Sequence, residues 1–280
     1  MKTILYFILF WLVIFVAASF GQECLIDYVK SLPDAPMSSE VPESHRYKIE
    51  NHNGMCVACA VTQAGEKMLE YHGKPNECYV IAWTHFAGRN IETKYTKDQI
   101  GMYGSDAALA IEQIGFLPAS VLEGVDKNIW NNDKVSKLDY QESDWEFFYN
   151  KYKHKADKYP VAFPTNVNEI ALCLSKGLPV LFLSSAQWKL ISWRNVDGKG
   201  SNRFEFATTQ YNTKEAHVVC LRDYFTLPYH KDDKSYPMEY CNLVNSHGEF
   251  PSPLKMIWLD KIQNDHKFSC FVILPKKIRD

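Results

Sequence analysis

The spacing of apolar residues changes near the middle of this 280-residue chain, and that change constrains the fold most strongly. In the first half, an amphipathic stretch opens with the run 53–61 and ends at Gly73, and apolar residues recur at helical spacing over about 77–88, 105–114 and 143–155. Residues 166–177 then predict a short helix with an Asn cap and a Gly stop. Four β-like runs occupy the second half: 179–184, 217–224, 239–244 and 268–274.

This order predicts an α+β fold, with a helical N-terminal lobe and a β-rich C-terminal lobe that meet at a cleft. Residues 228–238 are rich in charged and aromatic side chains and contain prolines, so we expect a loop there between two strands. Within it, Lys231–Lys234 predicts a solvated turn.

The first 21 residues have the pattern of a secretory signal peptide. A single positive charge at Lys2 precedes the apolar run Ile4–Ala18, and small residues follow. A retained signal anchor is the alternative, but the run is short for a bilayer span of roughly 20 residues. The mature chain would begin near Gln22 and be secreted or lumenal in the endomembrane or lysosomal system. No later segment is apolar enough to predict a stable membrane span.

A polar, proline-bearing stretch follows the predicted signal and indicates an extended N-terminal arm over residues 22–40. One folded domain is then expected over residues 41–280. The formal net charge of −2 shows no basic excess, which argues against nucleic-acid binding. All eight cysteines lie beyond the signal, so export predicts disulfides among them, although the pairing cannot be read from their number.

Cys59 lies where the first long helical pattern begins. A thiol near a helix N-terminus lies in the field of unpaired backbone N–H groups, which favours the thiolate. A thiolate nucleophile needs a base, and the base needs a third group that orients its ring. His217 opens one β-like run and Asn245 directly follows another. If those two strands are neighbours, their ends can lie together opposite Cys59.

These segments resemble the papain family of cysteine peptidases. The segment Asn53-Gly-Met-Cys-Val-Ala-Cys59 is similar to the family's Gln-Gly-x-Cys-Gly-x-Cys. The segment Glu215-Ala-His217-Val-Val is similar to its x-His-Ala-Val. The segment Val244-Asn245-Ser-His-Gly248 is similar to its Lys-Asn-Ser-Trp-Gly. The resemblance implies a papain-like two-lobed fold. It also implies catalytic roles for Cys59, His217 and Asn245 as nucleophile, base and orienting residue, with Cys56 as a half-cystine of a structural disulfide.

The resemblance further implies an oxyanion hole formed by the amide of Asn53 and the backbone N–H of Cys59. The chain departs from the family here, since Asn53 replaces glutamine and Ala60 and His247 replace tryptophans. His247 could tune the hydrogen bonding of the site. Gly101–Gly104 occupies the region of the family's substrate-binding Cys-Asn-Gly-Gly, and the family's long prosegment is missing.

We therefore expect peptide or protein substrates, no cofactor or metal, and a monomer. Three alternatives stay open. The chain could be a non-catalytic binding protein with a papain fold, in view of the three substitutions. It could be a thiol–disulfide redox protein that uses the C-x-x-C pair Cys56 and Cys59, which predicts a strand directly before Cys56. It could also perform transglutaminase-like chemistry, for which Asp223 on the strand of His217 is a poor acidic third member.

Restoring glutamine at position 53 tests the role given to Asn53. Asn53→Gln extends the same amide by one methylene, so kcat/KM for a fluorogenic peptide should stay similar or rise. Steady-state kinetics of the purified variant measures this. A large loss of kcat/KM would show that Asn53 has a different role.

Overall fold

The computed structural model describes a chain of helices followed by antiparallel strands. It describes residues 26–37, 39, 54–74, 76–92, 95–96, 99, 101–122, 142–184, 186–193, 203–211, 217–231, 234–244, 252–257, 259 and 269–276. The predicted signal peptide and the residues Asn53, Asn245 and His247 lie outside these ranges.

The described ranges contain six named α-helices, and residues 256–257 and 259 are also helical. The six are α1 (26–31), α2 (Cys56–Tyr71), α3 (Ile81–Asn90), α4 (Gly104–Gln113), α5 (Glu142–Tyr152) and α6 (Val167–Ser175). Short 3-10 helices span Ala119–Leu122 and Lys153–Lys155. The sequence predicted α2, α4, α5 and α6 nearly to the residue, and α3 begins about four residues later than expected.

Helix α6 shows how local sequence fixes both of its ends. The Asn166 side chain accepts a hydrogen bond of 3.0 Å from the backbone N–H of Glu169, which satisfies a donor of the first turn. At the other end Gly177 has φ of +71°, a conformation that is easy only for glycine. The predicted Asn cap and Gly stop are therefore confirmed.

In the described part of the chain, eight strands form a large six-stranded sheet and a two-stranded sheet. They are β1 (Val161–Ala162), β2 (Val180–Ser184), β3 (Ala186–Trp193), β4 (Arg203–Tyr211), β5 (His217–Lys231), β6 (Lys234–Val244), β7 (Ser252–Lys255) and β8 (Ser269–Ile273). The large sheet has the order β1-β8-β2-β5-β6-β7 and every pairing in it is antiparallel, while β3 and β4 pair with each other. The mixed α+β class is confirmed.

The main core lies between α2 and the large sheet. Helix α2 packs against β2, β5 and β8, and its apolar residues are buried from Val57 to Leu69. Apolar runs in β2, β5 and β8 supply the other side of this core. Burial of such side chains contributes roughly 1.5–3 kcal/mol each, so this contact is a major source of stability.

A second core holds α3, α4 and α5 together. It is built around Trp83, which is fully buried and packs edge-on against Phe148 with ring centroids 5.9 Å apart. The indole N–H donates to the carbonyl of Gly115 at 2.9 Å, so its polar atom is satisfied.

The N-terminal arm differs from the expected extended segment. Residues 26–31 form α1 instead, which ends shortly before Pro33, and Val29 is fully buried. The arm is tied to the body by Lys176, whose Nζ donates to the carbonyl of Leu32 at 2.7 Å and lies 2.8 Å from Asp34. The sequence missed this helix because prolines dominate the local pattern.

The prediction of a loop over residues 228–238 is wrong. Strand β5 runs to Lys231 and β6 starts at Lys234, and Pro228 is paired with Pro237. The two strands form a ribbon that extends beyond their pairing with β2 and β7. Proline is tolerated at such edges because its missing N–H need not serve a second neighbour. Lys231 and Lys234 are the last pair of the ribbon. Residues 232–233 of the predicted turn lie outside the described residues, so that turn stays a prediction.

No helix in the described part of the chain is long and apolar enough to cross a membrane.

Alanine substitutions at two glycines with positive φ, Gly73 and Gly115, should lower the free energy of unfolding by different amounts. Gly73 (φ +71°) has nothing within 4 Å of an added Cβ, whereas at Gly115 (φ +95°) a Cβ would lie 2.6 Å from the Asp157 carbonyl. We expect Gly73→Ala to lower the free energy of unfolding by about 1 kcal/mol from backbone strain alone. Gly115→Ala should cost about 1–3 kcal/mol more, because the backbone must shift. Urea denaturation measures both, and equal losses would contradict the close packing at Gly115.

Candidate active site

Cys59 lies in the first turn of α2. Gly54, with φ of +86°, turns the chain into the helix, and Met55 occupies the N-cap position. The side chain of Cys59 is in the main core and the residue is only 2% exposed. The positive end of the helix dipole therefore acts on a thiol that is shielded from water. Burial strengthens this interaction but also disfavours the charged thiolate, so the thiolate of Cys59 needs a cationic partner.

The backbone N–H of Cys59 was expected to donate to the oxyanion, but it already has an acceptor within the helix. It donates to the carbonyl of Met55 at 2.9 Å and so makes the first hydrogen bond of the helix. That bond removes it as an uncommitted donor for an oxyanion in this conformation. The backbone N–H groups without an acceptor inside the helix belong to the three residues that precede Cys59.

His217 is the first residue of β5 and is half-buried. It pairs with Ser184 at the end of β2, and the Val218–Leu221 run that follows is buried in the main core. The register therefore leaves the imidazole at the edge of the apolar layer, where the sequence predicted it.

The orientation of α2 places Cys59 and His217 at the same end of the layer. At its C-terminal end, the Tyr71 hydroxyl donates to the carbonyl of Lys176, just before β2 begins. Cys59 is about 18 Å along the helix from Tyr71. Helix α2 thus starts near the other end of β2, where Ser184 pairs with His217.

A short loop at residues 101–104 confirms this alignment. A Cβ on Gly101 would lie 3.6 Å from the carbonyl oxygen of Gly54, directly before α2. A Cβ on Gly104 would lie 2.2 Å from the Leu183 side chain, and Leu183 pairs with Val218. The loop therefore lies close both to Gly54, just before α2, and to Leu183, near the end of β2.

The end of β6 lies next to the start of β5. Val244 pairs with Cys220, three residues after His217, so the prediction that these strands are neighbours is confirmed. Asn245 follows Val244 in the sequence but, like Asn53 and His247, it is outside the described residues. Their roles stay predictions.

Asp223 cannot serve as the third member of a catalytic group with His217. It lies at a register shift of β5, about 20 Å along the strand from His217. Its carboxylate accepts a hydrogen bond of 3.0 Å from the Asn242 side chain, and its φ is +51°. The transglutaminase-like alternative therefore loses its only candidate acid.

The described cysteines form no disulfide bond with one another. The predicted disulfides are thus not confirmed, and a structural disulfide at Cys56 stays a prediction. The redox alternative predicts a strand directly before Cys56, and the described residues have a turn at Gly54 instead.

Four cysteines of the core have unreactive thiols. Burial raises the pKa of Cys173 and of Cys220 to about 12, and it also raises the pKa of Cys241 and of Cys270. These side chains stay protonated at neutral pH and act as small apolar groups. Among the described residues, no group of His, Cys, Asp and Glu side chains could hold a metal ion.

The sequence did not single out His85 and Arg89, which lie one turn apart on α3. Arg89 donates to the carbonyls of Gln99 and Gly101, next to the site. His85 is fully buried, and neither ring nitrogen has a hydrogen-bond partner. Burial, with a smaller contribution from Arg89, lowers the pKa of His85 to about 3.

Comparison with solved structures finds a similar fold in known proteins. This chain has a cysteine at the start of a helix that packs on an antiparallel sheet, and its fold is similar to that of a solved cysteine protease. Xylellain, a cysteine protease from Xylella fastidiosa, has a TM-score of 0.53 and 15% identity over 89% of this chain and 88% of its own.

Two further papain-like structures are similar at lower scores. The proform of Amb a 11, a cysteine protease and ragweed pollen allergen, has a TM-score of 0.45 and 10% identity over 87% of this chain and 69% of its own. Procathepsin B S9 from Trypanosoma congolense has a TM-score of 0.44 and 10% identity over 88% of this chain and 84% of its own. No family model and no curated protein matches the sequence.

The buried His85 predicts a specific pH dependence of stability. Its unfolded pKa is 6.5 and its folded pKa is about 3, so between these values the unfolded chain binds the extra proton. The free energy of unfolding should fall as pH drops through this window, by roughly 1 kcal/mol per pH unit from this group. Urea titrations at several pH values measure the slope.

His85→Phe should reduce that slope, because it removes the group that titrates. Equal slopes in the wild-type and His85→Phe proteins would show that His85 does not titrate in this window.

Proposed function

We propose that this protein is a cysteine peptidase that hydrolyses peptide bonds through Cys59, His217 and Asn245. The observation that carries the proposal is the alignment of α2 with β2 and β5. It supports a site in which the helix turn that contains Cys59 and the strand start that contains His217 face each other at one end of the core. The papain-like fold supports the same assignment.

In the proposed mechanism, Cys59 and His217 form a thiolate–imidazolium pair. The thiolate attacks the scissile carbonyl, His217 protonates the leaving amine, and the acyl-enzyme forms. Water, deprotonated by His217, then attacks the thioester and regenerates the thiol. Asn245 keeps the imidazole aligned, and its place directly after β6 supports this role because β6 is the neighbour of β5.

The proposed oxyanion hole contains the Asn53 amide. Since the Cys59 N–H already bonds to Met55, the remaining donors must come from the earlier first-turn amides, or this bond must lengthen as the oxyanion forms. His247 replaces an aromatic residue beside Asn245 in the resemblance, and we propose that it tunes the His217–Asn245 hydrogen bond.

We further propose that the substrates are peptides or proteins, bound as extended chains in a cleft between a helical and a β-rich lobe. The protein would act as a secreted or lumenal monomer after removal of residues 1–21. The apolar leader sequence supports this localisation.

Alkylation at mildly acidic pH tests the ion pair. At pH 5.5, iodoacetamide should modify Cys59 at least about 10-fold faster than any other cysteine, because ordinary thiols are almost fully protonated there. The raised pKa values of Cys173 and Cys220 make them still slower. Peptide mapping by mass spectrometry gives the rate at each site.

His217→Ala should abolish hydrolysis of a fluorogenic peptide and slow the alkylation of Cys59 at pH 5.5, without unfolding the chain. Cys56→Ser is the matched control, since it changes the other thiol of the same helix turn and should leave the Cys59 rate similar. Uniform labelling of several thiols, or retained turnover in His217→Ala, would overturn the proposed mechanism.

A further inference from the structure

The 99–104 loop, of which Gln99 and residues 101–104 are described, lies close to Gly54 and to the end of β2. It contains no cysteine, and the contacts described for it are noncovalent. Its backbone approaches Gly54 at one end and the Leu183 side chain at the other. Loop residues fixed at both sides of an active site define the space that a substrate enters. The contacts that fix this loop therefore bear on substrate binding.

Arg89 makes the central contact. The residue is only 9% exposed, and its Nη1 donates to the carbonyl of Gln99 and, at 2.6 Å, to that of Gly101. A guanidinium withdrawn from water requires strong acceptors, and two carbonyls of one loop supply them. Because Nη1 of Arg89 donates to both carbonyls, the loop is fixed relative to α3.

Tyr95 completes the contact from the other side. Its ring lies under the guanidinium, with the Arg89 carbon 4.5 Å from the ring centroid. Its hydroxyl donates to the buried Asp106 carboxylate at 2.7 Å and accepts the backbone N–H of Tyr103 at 2.8 Å. The cation, the ring and the carboxylate thus fix consecutive parts of the loop to α3 and α4.

The loop also presents a side chain to solvent. Tyr103 is 51% exposed, and its ring stacks on Tyr95 with centroids 5.4 Å apart. Met102 fixes the opposite side, since its sulfur packs where a Cβ on Gly88 would lie. The loop therefore has one buried side and one accessible side. Arg89 holds the backbone of the loop in a single conformation next to the site.

We propose that Arg89 is a positioning residue for peptide binding. By holding the carbonyls of Gln99 and Gly101, it keeps the 99–104 loop in the conformation that contacts an extended substrate. This inference rests on the proposed peptidase function, but it concerns the binding of the substrate and not the reaction of the thiol. Arg89 lies on α3, away from the reacting atoms, and acts only through the loop.

The experiment compares Arg89→Met, which keeps the apolar stem, with the wild-type protein. The KM for a fluorogenic peptide should rise about 10- to 100-fold with kcat within about 3-fold, because contacts to the bound substrate are lost equally in the ground and transition states. Arg89→Lys should restore part of the KM, since an ammonium can reach a carbonyl but cannot match the planar contact with Tyr95.

Hydrogen exchange gives a readout that does not depend on turnover. In Arg89→Met the backbone amide of Tyr103 should exchange faster, while iodoacetamide alkylation of Cys59 should keep its wild-type rate. Lys176→Met is the matched control. Lys176 is another buried cation that binds a loop carbonyl, that of Leu32, and it lies near the C-terminal end of α2. The Lys176→Met variant should lower the free energy of unfolding without changing KM.

An unchanged exchange rate at Tyr103 would show that Arg89 does not hold the loop. Faster exchange with an unchanged KM would show that the loop does not bind substrate, and either result overturns the inference. A wild-type chain that hydrolyses no peptide would overturn the proposed function and the substrate part of this inference together. The exchange rates would still decide whether Arg89 holds the loop.

Discussion

The packing of α2 along the large sheet is the contact on which the rest of the structure depends. The helix is buried along nearly its whole length and contacts the sheet on one side and α3 and α4 on another. Such a helix can neither slide nor turn about its axis without opening the core. The position of Cys59 is therefore set by apolar packing many residues away from it.

Burial on several sides also explains the polar residues inside α2. Thr62 donates to Thr84 on α3 at 3.0 Å, and Glu66 accepts the backbone N–H of Tyr79 at 3.0 Å. Each buried polar group would cost about 1–3 kcal/mol without a partner, so these bonds restrict α3 and its preceding segment to one place. Because Arg89 is on α3, the same bonds indirectly position the 99–104 loop.

The sequence predicted features that depend on local periodicity and chemistry. Such patterns predicted helices α2, α4, α5 and α6 and the core parts of β2 and β5. The sequence posed the adjacency of the strands next to His217 and Asn245 only as a condition, and the β5–β6 pairing meets it. It failed where tertiary contacts override local signals: prolines concealed both α1 and the ribbon around Pro228. The environment of Arg89 was also unpredictable, because its partners Gly101 and Tyr95 reach it only after the chain has folded.

The four buried core thiols have a consequence for where this fold can exist. With their pKa values raised by burial, Cys173, Cys220, Cys241 and Cys270 provide almost no thiolate, the form that peroxides and disulfides attack. The core that contains these thiols is stabilised by apolar contacts, and oxidation of the thiols would not add to its stability. Oxidative damage to these four side chains should therefore be slow, and the core can form in a reducing compartment as readily as in an oxidising one.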